Sequence, residues 1–228
     1  MAKWVPLESN PEVMNKYLDS LGVPSQWRML DVYGLDADAL ATVPRPVLAL
    51  LLLFPINDKY EEFSKQQDEE IKSKGQTVSD KVVYIKQFIS NSCGTVALIH
   101  SIANNTDKIT LADGELKKFL TEAASLDSTG RGELLSKSEA IADIHKKLAL
   151  DGQSRAPDAN QPTDFHFVAL VHSDGGLYEL DGRKSFPINH GETTPETFLE
   201  DAAAVCRKFM EREPENLNFT IVALAANN

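Results

Sequence analysis

Cysteine is scarce in this 228-residue sequence, which has two, Cys93 and Cys206. Two thiols without paired spacing exclude a disulfide framework and a cysteine zinc site, and free thiols fit a reducing compartment. Long apolar runs are missing too. The longest, Val47 to Phe54, is far too short to span a bilayer, and the start Met-Ala-Lys-Trp-Val-Pro-Leu-Glu has no signal-peptide core. Basic residues are outnumbered, 23 Lys and Arg against 34 Asp and Glu, for a formal net charge of −11. That sign disfavours nucleic acid and anionic membrane as partners and suits a basic one. Internal repeats and low-complexity linkers are absent. The chain is therefore read as one domain over residues 1–228 in the cytoplasm; a nuclear pool, a monomeric state and independence of metal and cofactor are further expectations.

With 42% apolar and 25% charged residues, the composition is that of a globular chain long enough to bury a substantial core. Pro11 to Leu21 reads as a helix, capped by Asn10 and closed by Gly22. Met29 to Tyr33 is a short strand, and Leu35 to Thr42 one or two helical turns before Pro44 and Pro46. Val47 to Phe54 is apolar without alternation, the mark of a strand covered on both faces. Lys59 to Lys74 is a charged helix whose acidic run Asp68, Glu69, Glu70 reads as a solvated face. Val82 to Lys86 is a strand, followed by a helix that starts at Cys93. Asp113 to Leu126 and Glu133 to Leu148 are two further helices, separated by a turn at Ser128–Gly132. Asp151 to Asp164 is a loop. Phe165 to His172 and Leu177 to Asp181 form a hairpin, Pro195 to Glu211 a helix, and Leu217 to Ala225 a last strand. Helices flanking a central, largely antiparallel sheet make the class α/β (α+β).

The chemistry gathers around Gln87 to Asn104. A loop rich in cap residues (Ser90, Asn91, Ser92) leads into Cys93 and then into a run apolar on nearly every face. A cysteine in the first turn feels the positive end of the helix dipole, which favours the thiolate. Position alone leaves a plain buried cysteine equally open. The hairpin supplies a partner. With Asp174-Gly175 as a two-residue loop, Ser173 pairs with Gly176, Val168 faces Asp181, and His166 faces Arg183. His166 and Asp181 then lie diagonally on one face, where the carboxylate can bond one ring nitrogen and leave the other free, as a catalytic base needs. His100 is too far along the helix from Cys93 to serve it, and His145 and His190 read as surface or loop residues. Gln87, six residues before Cys93, is either an exposed strand-end side chain or, with the backbone N–H of Cys93, a donor for an oxyanion.

The segments Gln87-Phe-Ile-Ser-Asn-Ser-Cys-Gly-Thr, Phe165-His-Phe-Val-Ala-Leu-Val-His and Leu177-Tyr-Glu-Leu-Asp-Gly-Arg-Lys-Ser-Phe-Pro-Ile-Asn-His-Gly resemble the small ubiquitin carboxyl-terminal hydrolases, most nearly their L-three branch. The likeness runs from Trp4-Val-Pro-Leu-Glu through Val43-Pro-Arg-Pro-Val to the last strand. It implies a papain-like thiol hydrolase fold with a knotted backbone, and it assigns Cys93 as nucleophile, His166 as acid and base, Asp181 as orienter and Gln87 as oxyanion donor. The implied reaction removes small adducts or short extensions from the C-terminal glycine of ubiquitin, or of a close ubiquitin-like modifier, through an acyl-enzyme. The loop Ala149, Leu150, Asp151, Gly152, Gln153, Ser154, Arg155, Ala156 would cross the site and limit the leaving group. Implied ubiquitin contacts are Pro6, Leu7, Glu8, Asn10, Pro11, Glu12 and Asp31, that loop, and Asn216, Leu217, Asn218, Phe219, Thr220 and Ile221. Asn216 stands where relatives often carry an acid. Two rivals come from other classes: a non-catalytic ubiquitin-binding module, and a thiol redox sensor built on Cys93, for which Cys206, on an amphipathic helix, reads as core rather than as a resolving partner.

Overall fold

A computed structural model describes residues 3–154 and 163–227 of the chain. Its elements are α1 (Pro11–Ser20), β1 (Trp27–Asp31), α2 (Ala37–Ala41), β2 (Val47–Pro55), α3 (Asp58–Lys74), α4 (Cys93–Ala103), α5 (Glu115–Ala123), α6 (Ser128–Ser136), α7 (Glu139–Leu148), β3 (Phe165–Ser173), β4 (Gly176–Leu180), β5 (Ile188–Glu192), α8 (Phe198–Arg212) and β6 (Thr220–Ala226). The strands form one sheet in the order β1-β6-β2-β3-β4-β5, every neighbouring pair antiparallel. β2 is flanked by β6 and β3 and buried nearly throughout, as its unbroken apolar run demands.

Each face of the sheet carries a core. On one, Phe167, Ala169 and Val171 of β3 meet Val96, Leu98 and Ile99 of α4 and Tyr17 and Leu18 of α1. On the other, Val168 and Leu170 meet Phe198, Ala202 and Phe209 of α8 and Tyr60 of α3. Strand alternation makes this division. α4 is buried from Gly94 to Ala103, and Leu98, Ile99 and Ile102, fully enclosed, each contribute about 1.5–3 kcal/mol of burial. Asn10, Asp36, Asn57 and Asp127 cap α1, α2, α3 and α6 with side-chain oxygens. Ser92 stands at the cap position of α4 without bonding it; its Oγ donates to the Ile89 carbonyl instead (2.9 Å).

Three expected elements differ, each for a physical reason, and one strand was unforeseen. Val82 to Lys86 lies in neither a helix nor the sheet. Its backbone groups are taken by side chains of α4 and its C-cap, Val83 N donating to Asn104 Oδ1 (2.8 Å) and Ile85 N to His100 Nε2 (2.9 Å). Glu133 to Leu148 is two helices, because Ser138 caps a new one at Glu139. Ser128–Gly132 is the start of α6, not a turn, since Asp127 accepts from Gly130 N at 2.7 Å. Helical Gly132 lets the 82–88 segment lie close, for a Cβ there would stand 2.2 Å from the Lys86 carbonyl oxygen. β5 was not foreseen, its polar Ile-Asn-His-Gly-Glu showing no strand alternation.

The hairpin turn matches its reading. Asp174 (φ 50°) and Gly175 (φ 79°) both have positive φ, as a type I′ turn requires, and Ser173 pairs with Gly176. The ladder stops at Ala169–Leu180. The pairings Val168–Asp181 and His166–Arg183 are not made, because Asp181 turns the chain by accepting from Arg183 N (2.9 Å).

Candidate active site

Where the β3–β4 ladder ends, the two strands part, and the site forms in that opening. His166, second residue of β3, shares parity with Val168 and Leu170 on the α8 side of the sheet. Cys93 begins the helix on the opposite side. They meet where His166, still paired with Phe54 of β2, lies past the last β3–β4 pair and has no β4 neighbour beside it.

His166 Nε2 is 2.7 Å from Asp181 Oδ1, with both residues buried, 3% and 2% exposed. The other ring nitrogen, Nδ1, is thereby left for Cys93, whose side chain hydrogen-bonds with the His166 ring. Cys93 keeps some surface while ringed by protein atoms. Burial raises its thiol pKa, but the His166 ring and the backbone amides of Phe167 and Gly94 outweigh this and hold it below the ordinary value. Burial likewise disfavours the imidazolium, yet the Asp181 carboxylate and the Cys93 sulfur overcome it and raise the His166 pKa. Asp181, which burial would push up, is held low chiefly by His166, with help from the Arg183 amide and Lys184. The arrangement favours a thiolate–imidazolium pair beside a buried carboxylate.

Gln87 is half-buried in the loop before α4. Its backbone N donates to the Gly182 carbonyl (2.9 Å), so the loop is pinned one residue beyond Asp181. Gly182 permits this contact. A Cβ there would stand 2.9 Å from Gln87 Cβ and 3.2 Å from Gln87 N. The side-chain Nε2 donates one hydrogen to the Ile89 carbonyl (3.0 Å), which leaves its second N–H for another acceptor. As first residue of α4, Cys93 has a backbone N–H without an intrahelical acceptor. These are the two donors an oxyanion would need, both in the seven residues from Gln87 to Cys93.

His100, His145 and His190 are structural. His100 is fully buried, its pKa pushed down to about 4 by desolvation. His145 is not a surface residue but 1% exposed. Its Nε2–H donates to Val5 O (2.7 Å), so Nδ1 accepts from Thr95 Oγ1 (2.7 Å), which accepts from Tyr17 OH (2.8 Å). Burial pushes it down to about 4. His190 bonds the buried Glu179 (2.7 Å). Cys206 is buried in α8 with its thiol raised to about 12 by burial, inert as a nucleophile.

The residues expected to meet a partner divide. Pro6, Glu8, Asn10 and Pro11 are half-buried and Glu12 exposed, along the segment entering α1. Asp31, end of β1, pairs with Val222 of β6 and so lies beside the stretch Asn216–Ile221. There Leu217 is 89% exposed, Asn218 exposed, and Asn216, Phe219 and Thr220 half-buried. Leu7, Ala149 and Ile221 are corrected: their side chains are enclosed in the cores, because each sits on the inward side of its segment. In the loop, Leu150, Asp151, Gln153 and Ser154 are exposed and Gly152 half-buried; Arg155 and Ala156 lie outside the described residues. Glu8 Oε2 accepts from Ser154 N (3.1 Å) and Oγ (3.0 Å), and Lys16 Nζ pairs with Asp151 (2.8 Å), so the loop's first half is tied to the N-terminal segment.

Sequence reasoning missed Tyr60, whose OH donates to Asp181 Oδ2 (3.3 Å). Tyr60 and Phe63 are the only aromatics in the charged α3, spaced i, i+3. That stripe was the available signal that one face of the helix turns inward. Asp68, read as solvated, holds Lys184 Nζ at 3.0 Å.

Residues 4–211 match the model of the family described as ubiquitin carboxyl-terminal hydrolase, family 1. The chain is 48% identical over 226 residues to a ubiquitin carboxyl-terminal hydrolase of Drosophila melanogaster, covering 99% of each. It is 50% identical over 220 residues to ubiquitin carboxyl-terminal hydrolase isozyme L1 of Homo sapiens, covering 96% of each. Among solved structures, the Trichinella spiralis UCH37 catalytic domain bound to ubiquitin vinyl methyl ester superposes with a TM-score of 0.78 at 22% identity, covering 99% of this chain and 97% of that one. It has the same fold.

Proposed function

This chain belongs to ubiquitin carboxyl-terminal hydrolase family 1 and is a cysteine-type deubiquitinating hydrolase, and we propose that Cys93, His166, Asp181 and Gln87 are the groups with which it works. The observation that carries this is the buried His166–Asp181 pair at 2.7 Å, whose free ring nitrogen meets a thiol of lowered pKa. The Cys93 thiolate attacks the carbonyl carbon of the terminal glycine. The carbonyl oxygen becomes an oxyanion, received by the second Gln87 Nε2–H and the Cys93 backbone N–H. Collapse breaks the C–N bond, and the imidazolium of His166 gives its proton to the departing amine. The resulting thioester is attacked by water, which loses a proton to His166; ubiquitin leaves with a free carboxylate and the thiolate is restored.

Ubiquitin, and a close ubiquitin-like modifier, would dock along Pro6, Glu8, Asn10, Pro11, Glu12, Asp31 and the Asn216–Thr220 stretch, with Leu217 and Phe219 offering apolar surface. The net charge of −11 suits a partner with a basic tail. Leaving groups are small adducts or short extensions, limited by the loop that begins at Ala149. The enzyme acts as one monomeric catalytic domain in the cytoplasm and nucleus, and in sequence motifs it stands with the L-three branch.

Cys93→Ala should abolish cleavage of a ubiquitin C-terminal amide while leaving ubiquitin affinity within about threefold. Unchanged turnover would overturn this reading. A ubiquitin probe with a C-terminal electrophile should form an adduct at Cys93; its failure would favour a non-catalytic binding module.

A further inference from the structure

Asp181 is held from a second direction by a helix with no residue in the triad. α3 lies against the turn Asp181–Lys184 through several polar contacts. Arg183 Nη2 pairs with Glu61 (2.5 Å), and buried Lys184 Nζ donates to Ser64 Oγ (2.9 Å), Gln67 Oε1 (3.1 Å) and Asp68 Oδ1 (3.0 Å). One contact reaches the carboxylate itself, Tyr60 OH donating to Asp181 Oδ2 at 3.3 Å. The phenol is placed by the first turn of α3, where Asn57 Oδ1 accepts from Tyr60 N (3.0 Å), and by ring contacts with Phe54 and Phe209 at centroid distances of 4.8 and 6.5 Å. Phe54 also meets the His166 ring edge-on at 5.9 Å.

Asp181 Oδ1 has two donors, His166 Nε2 and Arg183 N. A carboxylate so held on one oxygen can still rotate about its Cβ–Cγ bond unless the other is anchored, and rotation would misaim the imidazole. We propose that Tyr60 is a positioning residue of this enzyme: its hydroxyl anchors Asp181 Oδ2 so that Oδ1 keeps His166 aligned with Cys93. This rests on the assignment of those three residues as the catalytic groups. The groups facing the phenol and carboxylate are Asp181, Arg183 and Lys184 on the turn, Glu179 on β4, His166 on β3, Glu61 on α3, Arg212 on α8, His100 on α4, and Tyr84. Burial and the negative charge of Asp181 and Glu179 push the phenol well above its ordinary pKa, so it stays protonated and donates.

The test is Tyr60→Phe, which removes the hydroxyl and keeps the ring. Its loss frees Asp181 Oδ2, so Oδ1 no longer holds the imidazole in fixed aim at the sulfur. The weakened contact between the imidazolium and Cys93 disfavours the thiolate. The pH midpoint of Cys93 alkylation by iodoacetamide, read without substrate, should rise by about half a unit or more, and kcat on a fluorogenic ubiquitin amide should fall about tenfold with KM unchanged. Phe63→Leu, which disturbs α3 without touching Asp181, should leave the midpoint in place. An unmoved midpoint and kcat in a folded Tyr60→Phe overturn the proposal, as does an equal shift in Phe63→Leu, which would make the effect one of helix packing. Turnover in Cys93→Ala would instead overturn the catalytic assignment, so the two failures are distinct.

Discussion

Asp181→Asn isolates the charge of the orienter from its shape. The amide is isosteric, and its Oδ1 can still accept from His166 Nε2–H (2.7 Å in the native pair) and Arg183 N (2.9 Å). Its Nδ2 then donates to Tyr60, whose hydroxyl turns acceptor, so geometry and tautomer survive. The carboxylate's charge does not. Two unit charges about 4 Å apart at an effective dielectric of about 20 interact by about 4 kcal/mol, and a hydrogen bond to a charged group is worth about 1.5–3 kcal/mol net. A loss of about 2–4 kcal/mol in stabilising the imidazolium corresponds to a fall in kcat of roughly 30- to 1000-fold at neutral pH. KM should barely change, because Asp181 is 2% exposed and meets no substrate. The sign of the pH effect follows from His166. Asp181 raises its pKa, so removing the charge lowers it, and the alkaline limb of kcat against pH should move to lower pH. A fluorogenic ubiquitin amide assayed across the alkaline range checks both. A kcat within about threefold of the parent with an unmoved alkaline limb would refute the claim that the charge of Asp181 sustains the ion pair.

Gly182→Ala should lower kcat at least tenfold with binding kept, since the new Cβ would stand 2.9 Å from Gln87 Cβ and displace the oxyanion loop; steady-state kinetics beside a ubiquitin-binding titration separates the two. Tyr33→Ala and Leu217→Ala, which remove exposed apolar side chains beside the expected docking strip, should each raise KM about three- to tenfold with kcat kept, as measured by initial rates. His100 and His145 have folded pKa values of about 4, below their unfolded values, so the folded state binds fewer protons and stability is lost as pH falls from about 6.5 towards 4. Each should contribute a loss of about 2 kcal/mol by pH 5, offset in part by His166, whose pKa is raised. Urea midpoints at pH 7 and pH 5 test this, and an unchanged midpoint would contradict it.

What the sequence by itself determined was local or periodic. The Asp174-Gly175 turn fixed the hairpin register as far as Ala169–Leu180, and the His166–Asp181 contact lies beyond it, where Asp181 turns the chain. The cap at Asn10 and the unbroken apolar run from Val47 placed α1 and the doubly covered β2, and the first-turn position made Cys93 a candidate nucleophile. Such features are legible because each depends on residues a few positions apart. The tertiary structure decided what depends on distant partners. Val82–Lys86 has the composition of a strand, but Asn104 and His100 claim its backbone groups first. His145 looks like a surface residue until Thr95 and Val5 enclose it. α3 looks solvated until Lys184 and Asp181 are brought to it from over a hundred residues away. Parity set His166 and Cys93 on opposite faces of the sheet; only the parting of β3 from β4 beyond Ala169–Leu180 lets them meet. The reagents were written in the sequence, and their alignment was set by long-range contacts, because a hydrogen bond to a buried carboxylate is chosen by whichever donor the fold brings within reach.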